Sequence, residues 1–273
     1  LEGDAWTPGA TAVVNGEDPL GREILDGLRS SDRVRVIEYG LSKGDVHASD
    51  VESSAAGTHA RFHTPDGPFD VELKLISTFN VMNALAATAV AVSQGISPDT
   101  ICTGLSRVER VAGRLDVVDA GQEFTVVVDY AHTPDALEKV LGALGELKRR
   151  WIVTVFGCGG DRDRGKRPIM GEIAARHSDV VIVTSDNPRA EDPSAIIADI
   201  VAGSHTGAGG AKIEVVEDRR EAISHAVSIA ESSDIVLIAG KGHEDYQIVG
   251  DLRLQFDDRE EARAAIEKLR AGR

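Results

Sequence analysis

The chain has 273 residues, of which 42% are hydrophobic and 27% charged, a composition typical of a soluble globular protein rather than a disordered or fibrous one. Its formal net charge of -15 excludes a general attraction to nucleic acid or to anionic membranes, so we expect neither as a partner. The length allows two domains, and no apolar run approaches the roughly 20 residues that span a bilayer.

The two cysteines, Cys102 and Cys158, lack the paired spacing of a zinc ribbon or a redox motif, which fits a reducing cytoplasm. Cys158 lies between glycines and is interpreted as small rather than reactive. The chain begins with Leu1-Glu2-Gly3-Asp4, without Met and without a secretory signal, and is interpreted as a fragment.

The first part of the chain has a mixed pattern of strands and helices. A polar region rich in Ser, Gly and Asp separates its first three elements from the others and is assigned no element. The pattern predicts strands at residues 12–14, 34–37, 60–62 and 69–75, a turn at 64–67, and helices after residue 18, over 79–94 and from about 97.

Beyond a linker predicted at residues 111–114, β-branched runs alternate regularly with amphipathic helices. This alternation predicts an α/β fold with a doubly wound, mostly parallel sheet. Ligands bind such sheets beyond the carboxyl ends of the strands, where the unusual polar residues of this half collect. The predicted strands are residues 125–128, 152–156, 180–184, 213–216 and 235–239, and the segments at their ends are 129–132, 157–167, 185–189 and 240–244.

The glycine-rich segment 160–167 is one residue away from a Walker A phosphate loop. Arg167 stands where a Ser or Thr would bind magnesium, and Asp161 and Asp163 would place negative charge in a phosphate cradle. We therefore reject this segment as the main nucleotide site, and a plain turn between strand and helix is the alternative. We expect its cations to bind anions, and these are Arg162, Arg164, Lys166 and Arg167.

Two further loops carry groups that suit an amino acid. Asn187 offers a donor and an acceptor, Pro188 stiffens the turn, and Arg189 presents a planar fork that suits a carboxylate. Glu244 follows the last predicted strand and can receive an ammonium group. A solvated arginine and a plain turn are the alternatives for these loops.

The histidines by themselves carry little chemistry. His132 and His243, taken singly, are interpreted as structural or exposed, because no Ser or Cys nucleophile is spaced with either. His59 and His63 lie in a predicted strand and are not interpreted as a metal site.

Taken in order, several segments resemble the Mur ligase family, and most closely its diaminopimelate-adding branch. The similarity covers nearly the whole chain, and several of the strings are long and unusual. The segments are residues 79–84, 113–114, 128–134, 156–168, 186–189 and 240–247.

The resemblance implies a three-domain ligase. Residues 1–112 would be the rear part of a central ATPase domain, without its phosphate loop, and residues 113–273 a Rossmann-like carboxy-terminal domain that binds the amino acid. ATP would phosphorylate the D-glutamyl carboxylate of UDP-N-acetylmuramoyl-L-alanyl-D-glutamate, and an amine of meso-diaminopimelate would attack the acyl phosphate, in peptidoglycan precursor synthesis. Mg²⁺ would offset charge on the phosphoryl oxygens. A cytoplasmic monomer is expected.

The resemblance also implies residue roles. Asn80 and Asn83 would lie near the nucleotide base, and Arg114 and His132 are the catalytic candidates. The residues that reach the ribose and phosphates would be Arg114, Asp129, Tyr130 and His132. The amino-acid pocket would be formed by Arg162, Asp186, Asn187, Pro188, Arg189, Gly240 and Glu244.

The sequence departs from the family pattern in one serious respect, since it contains no Gly-x-x-x-x-Gly-Lys-[Ser/Thr] loop. That loop, the magnesium ligands and a modified lysine would lie upstream. We therefore expect this chain alone to fold but not to catalyse the reaction. Ser77-Thr78 and Ala112, where the family usually has glycine and often proline, are expected to be tolerated.

Three alternatives stay open. A lysine-adding or folate-type ligase of the same family is the closest, and residues 186–189 discriminate it. A non-catalytic binding module could retain the sheet without the chemistry. An NAD-dependent dehydrogenase is disfavoured, because no Gly-x-Gly-x-x-Gly follows a strand with an acidic residue about 20 positions later.

Overall fold

The computed structural model describes residues 10–29, 34–54, 56–205 and 210–272. The chain forms two compact units, residues 1–109 and residues 110–273, each with its own hydrophobic core. The sequence places its domain boundary after residue 112, and the assignment of the first domain as part of an ATPase stays a prediction.

The first unit combines a parallel strand pair with an antiparallel three-stranded sheet. Helix α2 packs against these strands, and its Val81, Leu85 and Ala89 share one core with Phe62. The elements are β1 (Thr11–Asn15), α1 (Pro19–Arg29), β2 (Arg35–Tyr39), β3 (His47–Ser54), β4 (Gly57–His63), β5 (Phe69–Leu73), α2 (Thr78–Ser93) and α3 (Pro98–Ser106).

Strand β3 was not predicted from the sequence, because its composition is polar. Ala48 is its one buried apolar residue, and the strand forms by pairing antiparallel with β4. A register shift lies between Ser49 and Glu52, where Asp50 adopts a left-handed φ of 51°. Pairing with a neighbour that has a buried face thus overrides weak local propensity.

The second unit is built on a six-stranded sheet in the order β10-β9-β8-β11-β7-β6. All neighbouring strands are parallel except the edge pair β6 and β7, which confirms the predicted mostly parallel α/β sheet. The strands are β6 (Asp116–Val117), β7 (Thr125–Asp129), β8 (Ile152–Phe156), β9 (Val180–Val183), β10 (Lys212–Val215) and β11 (Ile235–Ala239).

Helices cover both faces of this sheet. Val126 and Val128 share a core with α7 and α8, whereas Val127, which is equally buried, points to the other face by strand alternation. The helices α4, α5 and α6 pack against one another in series. Their bounds are α4 (Pro134–Leu147), α5 (Lys166–His177), α6 (Pro193–Ser204), α7 (Arg219–Ile229) and α8 (Asp258–Ala271).

Most of these helices begin at side-chain caps that can be seen in the sequence. The side chains of Thr133, Asp192, Asp218 and Asp257 each accept a hydrogen bond from a backbone N–H in the first turn. Proline occupies the first helical position of α4 and α6, where its missing N–H is not needed. The caps fix where each loop at the carboxyl edge of the sheet ends.

The strand order creates a crevice at the carboxyl edge of the sheet. The chain places β8, β9 and β10 in sequence on one side and then returns, so that β11 lies between β8 and β7. The loops after β8 and β11 therefore leave neighbouring strands in different directions, which is where such sheets bind ligands.

A short antiparallel hairpin, β12 (Tyr246–Val249) and β13 (Leu252–Gln255), follows the loop after β11. The sequence did not predict it, since both strands are short and neither has a buried apolar face. The guanidinium of Arg253 lies 3.9 Å from the ring centroid of Tyr246. Within the described ranges, no helix has the length and apolar character to cross a membrane.

Candidate functional site

Four loops at the carboxyl ends of β7, β8, β9 and β11 surround a cavity of about 460 Å³. This volume lies within the range of about 300–1,000 Å³ that small-molecule sites occupy. The wall is strongly polar for its size. It is formed by Tyr130, His132, Thr133, Gly157, Cys158, Gly159, Arg162, Asp163, Lys166, Asp186, Asn187, Arg189, Gly240, Glu244 and Tyr246.

The loops after β8 and β9 pack backbone against backbone. Gly160 N–H donates to the carbonyl of Asn187 at 2.9 Å, and a Cβ at Gly160 would lie only 1.9 Å from the Pro188 carbonyl oxygen. Only glycine fits this approach. The glycine-rich segment therefore serves to bring Asn187 and Arg189 to the cavity rather than to wrap a phosphate.

Arg189 adopts a left-handed backbone conformation with φ of 52°, which is strained for a residue other than glycine. The hairpin holds it there, since Arg189 N–H donates to Ile248 O and Gly250 N–H donates to Arg189 O. Its Nη1 donates to the carbonyl oxygens of Gly160 and Asn187 at 2.9 and 3.4 Å. Among the described residues its Nε and Nη2 bond no acceptor, which leaves two donor nitrogens for a ligand.

A carboxylate and an amide line the same cavity as Arg189. Asn187 Nδ2 donates to Glu244 Oε2 at 3.0 Å, and both residues line the cavity. Asp186 is buried and forms an ion pair at 2.9 Å with Lys241. The wall thus combines guanidinium and amide donors with carboxylate acceptors, which is the set that a zwitterion requires.

An aromatic cluster borders the same cavity. Tyr130 lies between His132 and His243, with ring centroids 4.5 and 5.1 Å away, and the Arg114 guanidinium is 5.7 Å from its ring. Burial and the nearby Glu244 carboxylate raise the pKa of the Tyr130 phenol. Both histidines are exposed, as interpreted from the sequence.

Two family models match the chain, and together they cover most of it. The model described as Mur ligase middle domain matches residues 4–91, and the model described as Mur ligase, glutamate ligase domain matches residues 113–242. The chain belongs to the Mur ligase family.

The most informative relatives are ligases named UDP-N-acetylmuramoyl-L-alanyl-D-glutamate--2,6-diaminopimelate ligase. The protein of Syntrophomonas wolfei is 48% identical over 260 residues, which cover 95% of this chain and 52% of the relative. That of Geobacillus kaustophilus is 46% identical over 258 residues, which cover 94% of this chain and 52% of the relative. The chain therefore spans about half the length of the curated relatives it matches.

Solved structures agree with this placement. A ligase of the same name is 38% identical with a TM-score of 0.67, and the match covers 96% of this chain and 54% of that one. The MurF ligase of Thermotoga maritima in complex with ADP has a TM-score of 0.68 over 97% of this chain and 55% of its own. At 19% identity the second match shows a common fold alone.

Within this Mur ligase chain, most residues predicted for the amino-acid pocket converge on the cavity. Gly240, with φ of 117°, lies beside the Asp186 side chain. Pro188 is buried behind the wall, and its carbonyl faces Gly160. The predicted residues that line the cavity are Arg162, Asp186, Asn187, Arg189, Gly240 and Glu244.

Arg189 differs in one respect from its prediction. The prediction from the sequence is a buried guanidinium that pairs with a ligand carboxylate. Its side chain is only half-buried, because it lines an open cavity. Desolvation of the guanidinium therefore has to come from the ligand.

Asp129 has a more structural position than predicted. Its Oδ2 accepts from Leu115 N–H and its Oδ1 from Ala131 N–H, each at 2.8 Å. It does not line the cavity, and burial raises its pKa. The carboxylate thus ties the turn that presents Arg114 to the end of β7.

The predicted anion-binding cations are in part already paired with carboxylates, and that expectation was wrong for Arg167. Arg167 is buried, and its Nη2 lies 2.9 Å from Glu191 Oε1 while its Nη1 lies 2.9 Å from Asp199 Oδ2. The exposed Arg164 also forms an ion pair with Glu191. Hydrogen bonding from Arg167 lowers the pKa of Glu191 to about 2. Arg162 and Lys166 do line the cavity, and Lys166 Nζ donates to the His132 carbonyl at 2.7 Å.

Asn80 and Asn83 lie in the first unit, at the start of α2. Asn80 is buried, and its Nδ2 donates to the Ile76 carbonyl at 2.9 Å. Asn83 is exposed and donates to Asn80 Oδ1 at 3.4 Å. The Asn80 amide therefore stabilises the start of the helix, whereas the Asn83 side chain is exposed to solvent.

Sequence reasoning missed Lys241 and Tyr246. Lys241 is completely buried yet charged, and Tyr246 lines the cavity. A lysine between two glycines directly after a fully apolar strand was the available signal for the first, since such a position is buried. The hairpin that contains Tyr246 gave no comparable signal.

Cys158 is the basis of a prediction about thiol reactivity. It is buried, and burial raises its pKa to about 12, whereas Cys102 is only half-buried. In the folded chain we expect dithionitrobenzoate at about pH 8 to modify Cys102 rapidly and Cys158 very slowly, because the thiolate is the nucleophile. Cys102→Ser should remove the rapid phase and Cys158→Ser should leave it intact. Rapid labelling that persists in Cys102→Ser would contradict the assignment.

Proposed function

We propose that this chain provides the amino-acid-binding site of a ligase that adds meso-diaminopimelate to UDP-N-acetylmuramoyl-L-alanyl-D-glutamate in peptidoglycan precursor synthesis. ATP and Mg²⁺ would activate the D-glutamyl carboxylate as an acyl phosphate. The names of relatives that are 48% and 46% identical support this assignment. We further propose a cytoplasmic monomer with neither nucleic acid nor membrane as a partner, in keeping with the net charge of -15.

One observation carries the choice of amino acid. The Arg189 guanidinium, the Asn187 amide and the Glu244 carboxylate meet at a single cavity. Diaminopimelate ends in both a carboxylate and an ammonium, whereas the lysine side chain ends in an ammonium alone. Only the first ligand compensates the guanidinium that it desolvates, and for this reason it is favoured.

The chain contributes orientation to the reaction. In the proposed step the amine nitrogen bonds to the acyl carbon, the bond from that carbon to the phosphate oxygen breaks, and phosphate leaves while the amine loses a proton. Arg189, Asn187 and Glu244 would hold the far end of the amino acid. The amine at the other end is then directed out of the cavity, and such positioning lowers the barrier by converting a bimolecular encounter into a local one.

The glycine-rich loop after β8 does not fit a triphosphate. In the loop closest to a Walker A pattern, the backbone of Gly160 bonds Asn187 and Arg189, and Arg167 is already paired. No group of three or more potential metal ligands occurs among the described residues. Nucleotide contacts of Asn80, Asn83, Asp129 and Tyr130, and catalytic roles of Arg114 and His132, remain proposals that rest on family resemblance.

Titration of the 273-residue chain by calorimetry or by NMR tests the proposed amino acid. We expect meso-diaminopimelate to bind at least about tenfold more tightly than L-lysine, which lacks the distal carboxylate, and than pimelate, which lacks both amines. L-Glutamate serves as the probe for a folate-type ligase. Equal affinity for lysine, or a preference for glutamate, would transfer the assignment to another branch of the family.

A further inference from the structure

Lys241 lies two residues after the end of β11, and its side chain is completely buried. Its Nζ donates to Asn187 Oδ1 at 2.8 Å and to the Tyr246 carbonyl at 2.9 Å. The same Nζ is 2.9 Å from Asp186 Oδ1, an ion pair that lacks hydrogen-bond alignment among the described residues. A buried ammonium without partners is strongly unfavourable, so these three oxygens determine where it lies.

The contacts of Lys241 determine the orientation of the Asn187 amide. Asn187 Oδ1 also receives the backbone N–H of Ile248 at 3.0 Å. An ammonium and a backbone N–H can only donate, so the atom between them must be the amide oxygen. The NH₂ group consequently points the other way, where Glu244 Oε2 accepts one of its two hydrogens.

The NH₂ group has Glu244 as its one acceptor among the described residues, and Asn187 lines the cavity, so a ligand can accept its second hydrogen. An amide in this orientation offers a donor and not an acceptor. It therefore favours a ligand carboxylate and disfavours an ammonium, and it does so on the same wall as Arg189. Lys241 also forms an ion pair with Asp186, whereas the other two carboxylates that line the cavity, Glu244 and Asp163, form no ion pair among the described residues.

We propose that Lys241 is a positioning residue that locks the Asn187 amide as a donor and thereby gives this end of the site its preference for a carboxylate. The preference for diaminopimelate over lysine rests on the proposed function, whereas the locked amide does not. Lys241 itself does not line the cavity and acts through Asn187 and Asp186.

The first test needs no ligand. In ¹⁵N-labelled 273-residue chain, the side-chain amide signal of Asn187 is identified by its loss in Asn187→Asp. We expect this amide to be protected from exchange with water, and we expect Lys241→Met to increase its exchange rate by about tenfold or more. Lys139→Met, at an exposed position of α4, is the matched control and should leave the signal unchanged.

The second test measures selectivity. In Lys241→Met the ratio of the lysine and diaminopimelate dissociation constants should fall by about tenfold, because a free amide can turn its oxygen toward an ammonium. A merely structural defect would weaken both ligands alike and leave the ratio unchanged. If the single variant does not fold, Lys241→Met with Asp186→Asn leaves no unpaired buried carboxylate and permits the exchange measurement, which needs no ligand.

The outcomes separate the two proposals. An Asn187 amide that is equally protected without Lys241 overturns the positioning role, whatever the chain binds. An amide released by Lys241→Met in a chain that binds lysine as well as diaminopimelate supports the positioning role and overturns the proposed function. An amide that is released while the selectivity ratio stays constant overturns the link between Lys241 and specificity.

Discussion

Replacing Arg189 with alanine is expected to weaken the binding of meso-diaminopimelate to the 273-residue chain by at least about two orders of magnitude. The guanidinium lies at the cavity wall with its Nε and Nη2 bonded to no acceptor among the described residues. A carboxylate that binds there forms a charge-assisted pair. Without the guanidinium, the carboxylate would be desolvated with no cation to compensate it.

The same substitution should change the affinity for L-lysine little, because lysine places no carboxylate at this end of the cavity. Arg189→Lys should recover part of the loss, since it restores the charge but not the planar fork. Arg149→Ala removes an exposed arginine just before β8 and is the matched control. Calorimetric titration measures the dissociation constants of both amino acids for the unmodified chain and for these three variants. Unaltered constants for both amino acids in Arg189→Ala would show that the pocket is wrongly assigned.

The largest effect on stability is expected from the buried pair of Arg219 and Asp258. Both side chains are fully buried, and two hydrogen bonds of 2.8 and 2.7 Å join them. Arg219 Nη2 also donates to the carbonyl of Ala239, the last residue of β11, at 3.0 Å. Asp258→Ala leaves a buried guanidinium without its counterion, which should lower the free energy of unfolding by about 3–5 kcal/mol.

Urea denaturation followed by far-UV circular dichroism measures this loss. The two units can unfold in separate transitions. In a Trp6→Phe background, Trp151 is the single tryptophan, so its fluorescence reports the unfolding of the second unit. The shifted midpoint is expected in that signal. Glu172→Gln breaks the exposed pair with Arg176 and should change stability by less than about 0.5 kcal/mol. Arg219→Leu combined with Asp258→Ala should recover much of the loss, since no unpaired charge stays buried. A loss as small as that of Glu172→Gln would refute the argument.

The sequence predicted the framework of this fold because its strands are buried on both faces. Runs such as residues 180–183 and 235–239 are apolar throughout, so a buried parallel strand can be recognised from its own residues without knowledge of the neighbouring strand. The signals for the helix starts were equally local, because a capping side chain accepts a hydrogen bond from a backbone N–H no more than three residues away. The strands β3, β12 and β13 were missed, because their stability comes from hydrogen bonds to partners rather than from their own pattern.

The same distinction applies to the site. The segments that follow the predicted strands indicated which residues meet at the carboxyl edge of the sheet, because the carboxyl ends of parallel strands lie together. Whether a charged residue there is free or already paired was decided by contacts between distant parts of the chain. Arg167 is paired with Glu191 and Asp199, whereas Arg189 keeps free donors because a hairpin holds its backbone.

The sequence by itself determined the α/β class, the family and the set of residues at the carboxyl edge, because these follow from local patterns of burial, capping and strand ends. Only the tertiary structure decided the electrostatic state of each group. The position of Lys241 after a buried strand indicated burial, but nothing in the sequence indicated that its partners would be Asn187 and Asp186, and the donor face of the amide depends on that contact. Charges and hydrogen bonds act over a few ångströms in space, and the chain brings those partners together from positions more than fifty residues apart.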